Sequence, residues 1–424
     1  MKNNAFRACA LSMGMFLLAA APGGRAMAAG EEESTQAWSF ERLVRESLSY
    51  PSILAGKSGE QAALADLSAA KWQRFPVPGV QVTSQDMTGG GSSDGSSDET
   101  SAIFSLEQPL WTGGLITAGI DGAEARHRFA GDATRETEEG VLLDVVDAYV
   151  EALRRQEHQE IHRDNVKQHE RLLAMIERRA AQKVSPEVDQ DLARSRLHQT
   201  VGDLASAGQM LNNALTRLSE LAGSRVERVA PYAAPEAALP ANRPEALRLA
   251  REASPTLSGL RYKESAAGAD VDAARAAWWP RIALRAEAQT GAVDDNRIYL
   301  TAQTQLDAGL ASLASVDSAV AKRQAVAHER DGALRDLTVR VYEAWDQLVA
   351  ARIRLENAGA SSETARKVFE SYARQFTVGQ KSWLDVLNAT REAALAQVTL
   401  EDARAETRQS ELRIHILTGQ LHVQ

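Results

Sequence analysis

The chain has 424 residues, with 57 acidic and 48 basic side chains and a formal net charge of −9. This acidic balance argues against nucleic acid as a partner. The only cysteine is Cys9, so neither an intrachain disulfide nor a thiolate metal site is possible. A hydrophobic content of 44% with only 5% aromatic residues favours long helices over a thick globular core.

The first 28 residues have the pattern of a secretory signal peptide. Lys2 and Arg7 precede an apolar run over 10–21, and Ala26-Met27-Ala28 forms a small-x-small cleavage site. We expect cleavage after Ala28. No later segment offers about 20 consecutive apolar residues, so the sequence predicts no transmembrane helix. Entry into a membrane would therefore require β-strands.

The rest of the chain is internally duplicated. Residues 49–76 align with residues 253–280 at an offset of 204, and further along the offset becomes 196. The lost residues fall in the loop 89–100, which is longer in the first copy. The pairs that keep register include Pro51 with Pro255, Gly113 with Gly309, Tyr149 with Trp345, and Asp189 with Asp385. We predict a first repeat over 29–223, an equatorial connector over 224–244 and a second repeat over 245–424.

Both repeats contain the same predicted elements in the same order. A helix of about 35 residues ends at a proline, two alternating segments form a β-hairpin, and a very long helix turns back into a returning helix. The first repeat has helix 38–75, hairpin 80–108 with strands 80–88 and 101–108, long helix 113–184, and a helical tip near 183–186. The second has helix 245–279, hairpin 281–305 with strands 281–289 and 297–305, long helix 309–378, and a tip near 378–382.

The two tips carry residues that interrupt a helix. Gly379 allows a left-handed backbone. Pro186 suits the first turn of a helix, with Ser185 expected as its N-cap. Asp189 and Asp385 follow the two breaks one to two turns into the returning helices.

Four strands from one chain cannot close a barrel, and an open sheet edge is not tolerated in lipid. Closure therefore requires oligomerisation: two chains would supply eight strands and three would supply twelve.

Three motifs carry a resemblance to a known family: FSLEQPLWTGG at 104–114, AAWWPRIALRAEA at 276–288 and VGQKSWLDVLNA at 378–389. With the duplication, they make the chain similar to the TolC family of outer-membrane channels of Gram-negative bacteria. The resemblance implies a membrane α+β fold: a homotrimer whose twelve-stranded β-barrel, with four strands per chain, continues as a long periplasmic α-helical barrel. It also implies a passive duct without cofactor or enzymatic activity. A periplasmic adaptor and an inner-membrane ABC or RND transporter would be its partners.

The resemblance also assigns roles at the tips. Asp385 would help to form the narrowest ring of a periplasmic gate, and Lys381 would contact Asp189 of a neighbouring chain. Asn388 stands where a second acid can occur, and Phe376 where a tyrosine can. The alternative for both aspartates is a solvated position favoured by the helix dipole. The residues expected to contact the adaptor are Val184, Ser185, Pro186, Val378, Gly379 and Gln380.

Three weaker patterns lie outside the tips. Trp111 and Tyr299 could anchor the strands at a membrane interface or pack internally. His158 and His162 are spaced as metal ligands, but a solvated helix face is the simpler interpretation. Gly56-Lys57-Ser58 lacks the remainder of a phosphate-binding loop, and we discard it.

The leading functional hypothesis is an exit duct for type I secretion of a large protein such as an adhesin. The duct itself would contact outer-membrane lipid. The alternative is a multidrug or metal efflux channel. A soluble periplasmic coiled-coil adaptor would explain the helices but not the paired alternating segments at equivalent positions of the two repeats.

Overall fold

A computed structural model describes residues 37–86, 98–234, 237–290, 295–304 and 311–421. The predicted signal peptide, Gly309 and most of the loop 89–100 lie outside these residues. The elements of the first copy are α1 Phe40–Ser47, α2 Pro51–Trp72, β1 Val77–Asp86, β2 Asp98–Trp111, α3 Leu115–Ala181 and α4 Glu187–Ala222. Those of the second are α5 Arg243–Ala253, α6 Pro255–Ala276, β3 Arg281–Thr290, β4 Asp295–Gln303, α7 Ala311–Thr377 and α8 Trp383–Leu417.

The long helix has the same length in both copies. Helices α3 and α7 contain 67 residues each, about 100 Å at the rise of an α-helix. Each packs against shorter helices placed end to end: α3 contacts α4 and α2, and α7 contacts α8 and α6. Contacts of α3 with α6 and α8 join the two copies. Within the described ranges, none of these helices combines the length and the apolar character needed to cross a membrane.

The predicted helices of about 35 residues are each interrupted, which corrects the prediction of continuous helices over 38–75 and 245–279. Helix α2 begins at Pro51 and α6 begins at Pro255. Proline has no amide hydrogen to donate to the preceding turn, and it forces the residue before it into an extended conformation. Tyr50 and Ser254 accordingly have ψ values of 138° and 115°. The break occurs at the same place in both repeats because the proline does.

The largest buried cluster lies where α3, α4, α8 and the connector meet. Tyr149, Leu218 and Leu412 are fully buried there, and the Tyr149 hydroxyl donates a hydrogen bond of 3.1 Å to the carbonyl oxygen of Ala230. The Trp38 amide donates to the carbonyl oxygen of Arg228 at 2.9 Å. The connector is thus held against the long helices at mid-length.

The four strands form one antiparallel sheet in the order β1-β2-β3-β4. Side chains alternate between its faces along the strands, apart from a register shift between Pro109 and Trp111 of β2. The register aligns this alternation across strands, as in the pairs Val80–Phe104 and Leu284–Leu300. One face is apolar and exposed to solvent. It carries Val80, Val82, Phe104, Leu106, Leu284, Ile298 and Leu300. The opposite face carries mainly polar and charged side chains, so the sheet is amphipathic.

Candidate functional site: the tips of the helical hairpins

The turn between α3 and α4 has the same backbone geometry as the turn between α7 and α8. Lys183 has φ 56° and Gly379 has φ 80°, and the two are repeat counterparts at the offset of 196. One residue later, the Val184 amide donates to Arg179 O at 2.9 Å, and the Gln380 amide donates to Gln375 O at 3.0 Å. Both turns therefore end a helix through a left-handed residue. The first does so with a lysine, whose Cβ opposes that conformation.

The starts of the two returning helices differ. Helix α8 begins after Ser382, whose side chain and the N3 residue Asp385 form a reciprocal capping box. Helix α4 begins after Pro186, the counterpart of Ser382, and has no side-chain cap. Ser185 was expected to be this N-cap, and that expectation is wrong. Pro186 takes the N-cap position with an extended ψ of 152°, which leaves Ser185 one residue too early to cap.

The Asp385 carboxylate is held by its own helix terminus. Its Oδ2 atom accepts hydrogen bonds from the Ser382 amide at 3.1 Å and from the Ser382 hydroxyl at 2.8 Å. These bonds, with a smaller contribution from the charge of Lys381, lower the pKa of Asp385 from its ordinary value. Asp385 is therefore a fixed negative charge directly behind the second tip, half-exposed to solvent.

The other predicted gate residues lie at the second tip or just inside the two returning helices. Lys381 lies with its Nζ 4.3 Å from the ring centroid of Tyr372 in the same chain. Asp189 occupies the first turn of α4, as Asp385 occupies that of α8. Asn388 is exposed one turn beyond Asp385. The contact between Lys381 and Asp189 was predicted across two chains and stays a prediction.

A compact apolar cluster under the tips joins the two hairpins. Its buried members are Leu172, Ile176, Ala193, Phe376, Trp383, Val386 and Leu387. The rings of Phe376 and Trp383 lie 5.8 Å apart. Arg179 of the first hairpin donates from Nη1 to Phe376 O at 3.1 Å and stacks its guanidinium over the Phe376 ring at 4.5 Å. The sequence predicted neither Arg179 nor this bridge, because no periodic pattern singles out one arginine.

Beyond this cluster, the tips expose large apolar side chains. Val184 and Val378, both predicted adaptor contacts, are exposed by 60% and 70%. Val188 and Leu384 are also exposed, by 74% and 55%, and they are repeat counterparts. Sequence reasoning missed this second pair, although the offset of 196 that aligns the aspartates also aligns them.

The prediction for His158 requires correction, and the structure bears on the two alternatives for Tyr299 and Trp111. His158 does not lie on a solvated helix face: it is buried on α3, with Nε2 3.0 Å from Oδ1 of Asp402 on α8. Tyr299 lies on the polar face of the sheet and hydrogen bonds to Glu287, a position that does not suit an anchor on the apolar face. Trp111 packs edge-on against Trp279 at 6.0 Å. In the described parts of the chain, no three His, Cys, Asp or Glu side chains are placed to hold a metal ion.

An amphipathic four-stranded sheet on two long helical hairpins, with an exposed apolar and charged tip, defines a membrane-channel class of fold. Residues 45–224 and 246–420 match the family model described as outer membrane efflux protein. The chain belongs to that family, and the resemblance to TolC channels is confirmed. The protein is therefore located in the outer membrane with a large helical portion in the periplasm. Its family and fold are those of channels, which are not enzymes.

Individual relatives share only low sequence identity with this chain. The solvent efflux pump outer membrane protein SrpC of Pseudomonas putida is 28% identical over 264 residues, which cover 58% of this chain and 55% of SrpC. The chain thus spans about half the length of the curated relatives it matches. The crystal structure of CusC is similar with a TM-score of 0.80 at 16% identity, covering 89% of this chain and 91% of CusC. The outer membrane channel CmeC of Campylobacter jejuni has a TM-score of 0.76 at 14% identity, covering 97% and 95% of the chains.

Proposed function

We propose that the protein is the exit duct of a tripartite export system, acting as a homotrimer. The observation that carries this proposal is the combination of an exposed apolar sheet face with about 100 Å of paired helix below it. The apolar face would contact outer-membrane lipid, and the polar face would line an aqueous lumen. Three copies would supply twelve strands and close the sheet edges β1 and β4 against each other.

The helical part supports association with further copies. In the part of the chain between the connector and the tips, the contacts between helices give the order α4-α3-α8-α7. The two outer helices expose large apolar side chains along their lengths: Val201 and Met210 on α4, and Val339, Val349, Ile353 and Val368 on α7. Burial of such side chains against a neighbouring copy would stabilise the assembly by about 25 cal/mol per Å² of apolar surface.

The tips are the proposed docking site for a periplasmic adaptor. Val184 and Val378, with the additional pair Val188 and Leu384, present apolar surface at the end of the helices farthest from the sheet. The other tip residues, Ser185, Pro186, Gly379 and Gln380, shape the turns between them. Energy for transport would come from an inner-membrane ABC or RND transporter that the adaptor links to the duct.

The gate assigned to Asp385, Asp189, Lys381 and Asn388 is part of the same proposal. The hydrogen bonds from Ser382 lower the pKa of Asp385 and so favour its ionised form. Three copies of Asp385 around one axis would concentrate negative charge at the narrow end of the tube, and cations would be attracted there. A contact of Lys381 with Asp189 of the next chain would hold the ring closed.

Two cargo classes remain as proposals for the one duct. The motif QKSWLDVLNATRE over 380–392 and the longer loop of the first repeat resemble the branch that serves type I secretion of a large protein such as an adhesin. Similarity to a solvent efflux pump component favours small apolar compounds as the alternative.

Deletion of the gene tests the function and separates the cargoes. We expect the cell to retain a protein that the parent strain secretes, with complementation by the intact gene restoring secretion. Unchanged secretion with increased sensitivity to solvents or drugs would favour efflux. Recovery of the protein in the soluble periplasmic fraction, with neither phenotype, would contradict the duct.

A further inference from the structure

The polar face of the sheet carries a continuous row of charged side chains. The register places Glu107 of β2 opposite Arg285 of β3, and Glu287 of β3 opposite Arg297 of β4. Because all four side chains leave the sheet on the same face, they can interact across three strands. We call Glu107, Arg285, Glu287 and Arg297 the charge row.

Glu287 is the centre of the charge row. Its Oε1 atom lies 2.8 Å from Nε of Arg285, and its Oε2 atom accepts a hydrogen bond of 2.9 Å from Nε of Arg297. The hydroxyl of Tyr299 makes a third interaction with the same carboxylate. These neighbours leave the Glu287 side chain only 9% exposed. One carboxylate thus holds two guanidinium groups against the wall of the sheet.

The outer members of the charge row remain in contact with solvent. The Arg297 side chain is 55% exposed, and the Glu107 side chain is 47% exposed with its carboxylate 3.9 Å from Nη1 of Arg285. Two arginines and two glutamates make the row electrically neutral. Loss of Glu287 would leave one unbalanced positive charge per chain and release two long side chains from the wall.

We propose that Glu287 determines the charge selectivity of the strand-lined part of the lumen, by neutralising and positioning Arg285 and Arg297. This inference rests on the proposed function, because the polar face lines a lumen only when the sheet closes. In a trimer, the neutral row repeats three times around the axis. The wall then presents no net charge from these residues to a cargo that has passed the acidic tip, so the strand-lined segment does not retain charged cargo.

The test is ion selectivity of the purified full-length protein in planar lipid bilayers under a KCl gradient. Glu287→Gln has nearly the same shape but adds one positive charge per chain. We expect its reversal potential to shift from the wild-type value toward that of chloride. The shift should shrink at 1 M salt, where the screening length falls to about 3 Å.

Two further variants separate charge from structure. Glu287→Gln combined with Arg297→Gln restores neutrality, and its reversal potential should return toward the wild-type value. Arg297→Gln alone removes a positive charge and should shift the potential toward that of potassium, which keeps the test decisive if Glu287→Gln fails to assemble. Glu287→Asp retains the charge and should conduct like the wild type.

The outcomes distinguish this inference from the function on which it rests. Channels that conduct normally in every variant, with reversal potentials unchanged, would overturn the role of Glu287 and leave the duct intact. Equal shifts in the single and the double variant would also overturn it, because charge balance would not be the cause. Wild-type protein that forms no conducting channel would overturn the duct and this inference together.

Discussion

Arg179 and Phe376 join the two helical hairpins at their tips, although they are almost two hundred residues apart in the sequence. The guanidinium of Arg179 donates to the backbone oxygen of Phe376 at 3.1 Å and covers the Phe376 ring at 4.5 Å. Phe376 as a whole residue is only 5% exposed. A side chain of the first hairpin therefore holds the last turn of α7, immediately before the left-handed Gly379.

Replacement of Arg179 should loosen the second tip. Arg179→Ala removes a charged hydrogen-bond donor and its contact with the ring, which we expect to cost about 1 kcal/mol of local stability, since hydrogen bonds and cation–π contacts contribute on that scale. Hydrogen exchange measured by mass spectrometry should accelerate over 376–382. Arg178→Ala, at the exposed neighbouring position, is the matched control. Equal exchange in the two variants would show that the bridge does not hold the tip.

Alanine substitutions at two glycines of the second copy should have opposite effects. Gly379 has φ 80°, where a Cβ is disfavoured by about 1–2 kcal/mol, so Gly379→Ala should destabilise the tip. Gly359 lies inside α7 with open space around its added Cβ. Gly359→Ala should therefore stabilise the helix by about 0.5–1 kcal/mol. Thermal unfolding and local hydrogen exchange measure both effects, and a loss of stability at both positions would contradict this reasoning.

The sequence predicted the order of elements because the repeat supplies two independent copies of each signal. The sequence shows Pro51 and Pro255, but the prediction of continuous helices places them in helix interiors. It therefore merges four helices into two. The different caps of the tips were hidden for another reason. A proline and a serine are both compatible with a helix start, and only the backbone decides which residue is the N-cap. Arg179 acts across the two repeats, and such a contact depends on how the hairpins pack.

Ser382 should control the acid sensitivity of the second tip. The folded pKa of Asp385 lies below its ordinary value because the carboxylate accepts two hydrogen bonds from Ser382. The sign follows from linkage: the stabilising contribution is present above the unfolded pKa and is lost as pH falls through the lower, folded pKa. Ser382→Ala removes the hydroxyl bond and should raise the Asp385 pKa toward its ordinary value.

Hydrogen exchange over 380–388, corrected for the intrinsic pH dependence of exchange, measures this effect. The loss of protection in Ser382→Ala should begin at a higher pH than in the wild type. Ser361→Ala, within α7 and away from the tips, provides a serine control. An acid transition at the same pH in all three proteins would contradict the role of the cap.

His158 should make the packing of α3 against α8 sensitive to mild acid. Burial lowers the pKa of His158 from its ordinary value of 6.5, and the positive charges of Arg155 and Arg154 act in the same direction, against the opposing effect of Asp402. A lowered histidine pKa means that the unfolded state binds a proton before the folded state does. The stabilising contribution of neutral His158 is therefore complete above about pH 6.5, and it is lost as pH decreases toward the folded pKa.

His158→Gln should reduce this pH dependence of stability between pH 7 and 5, whereas His198→Gln, at an exposed position on α4, should leave it unchanged. Thermal unfolding across that range is the measurement, and identical slopes for the His158→Gln variant and the wild type would assign the acid sensitivity to other groups.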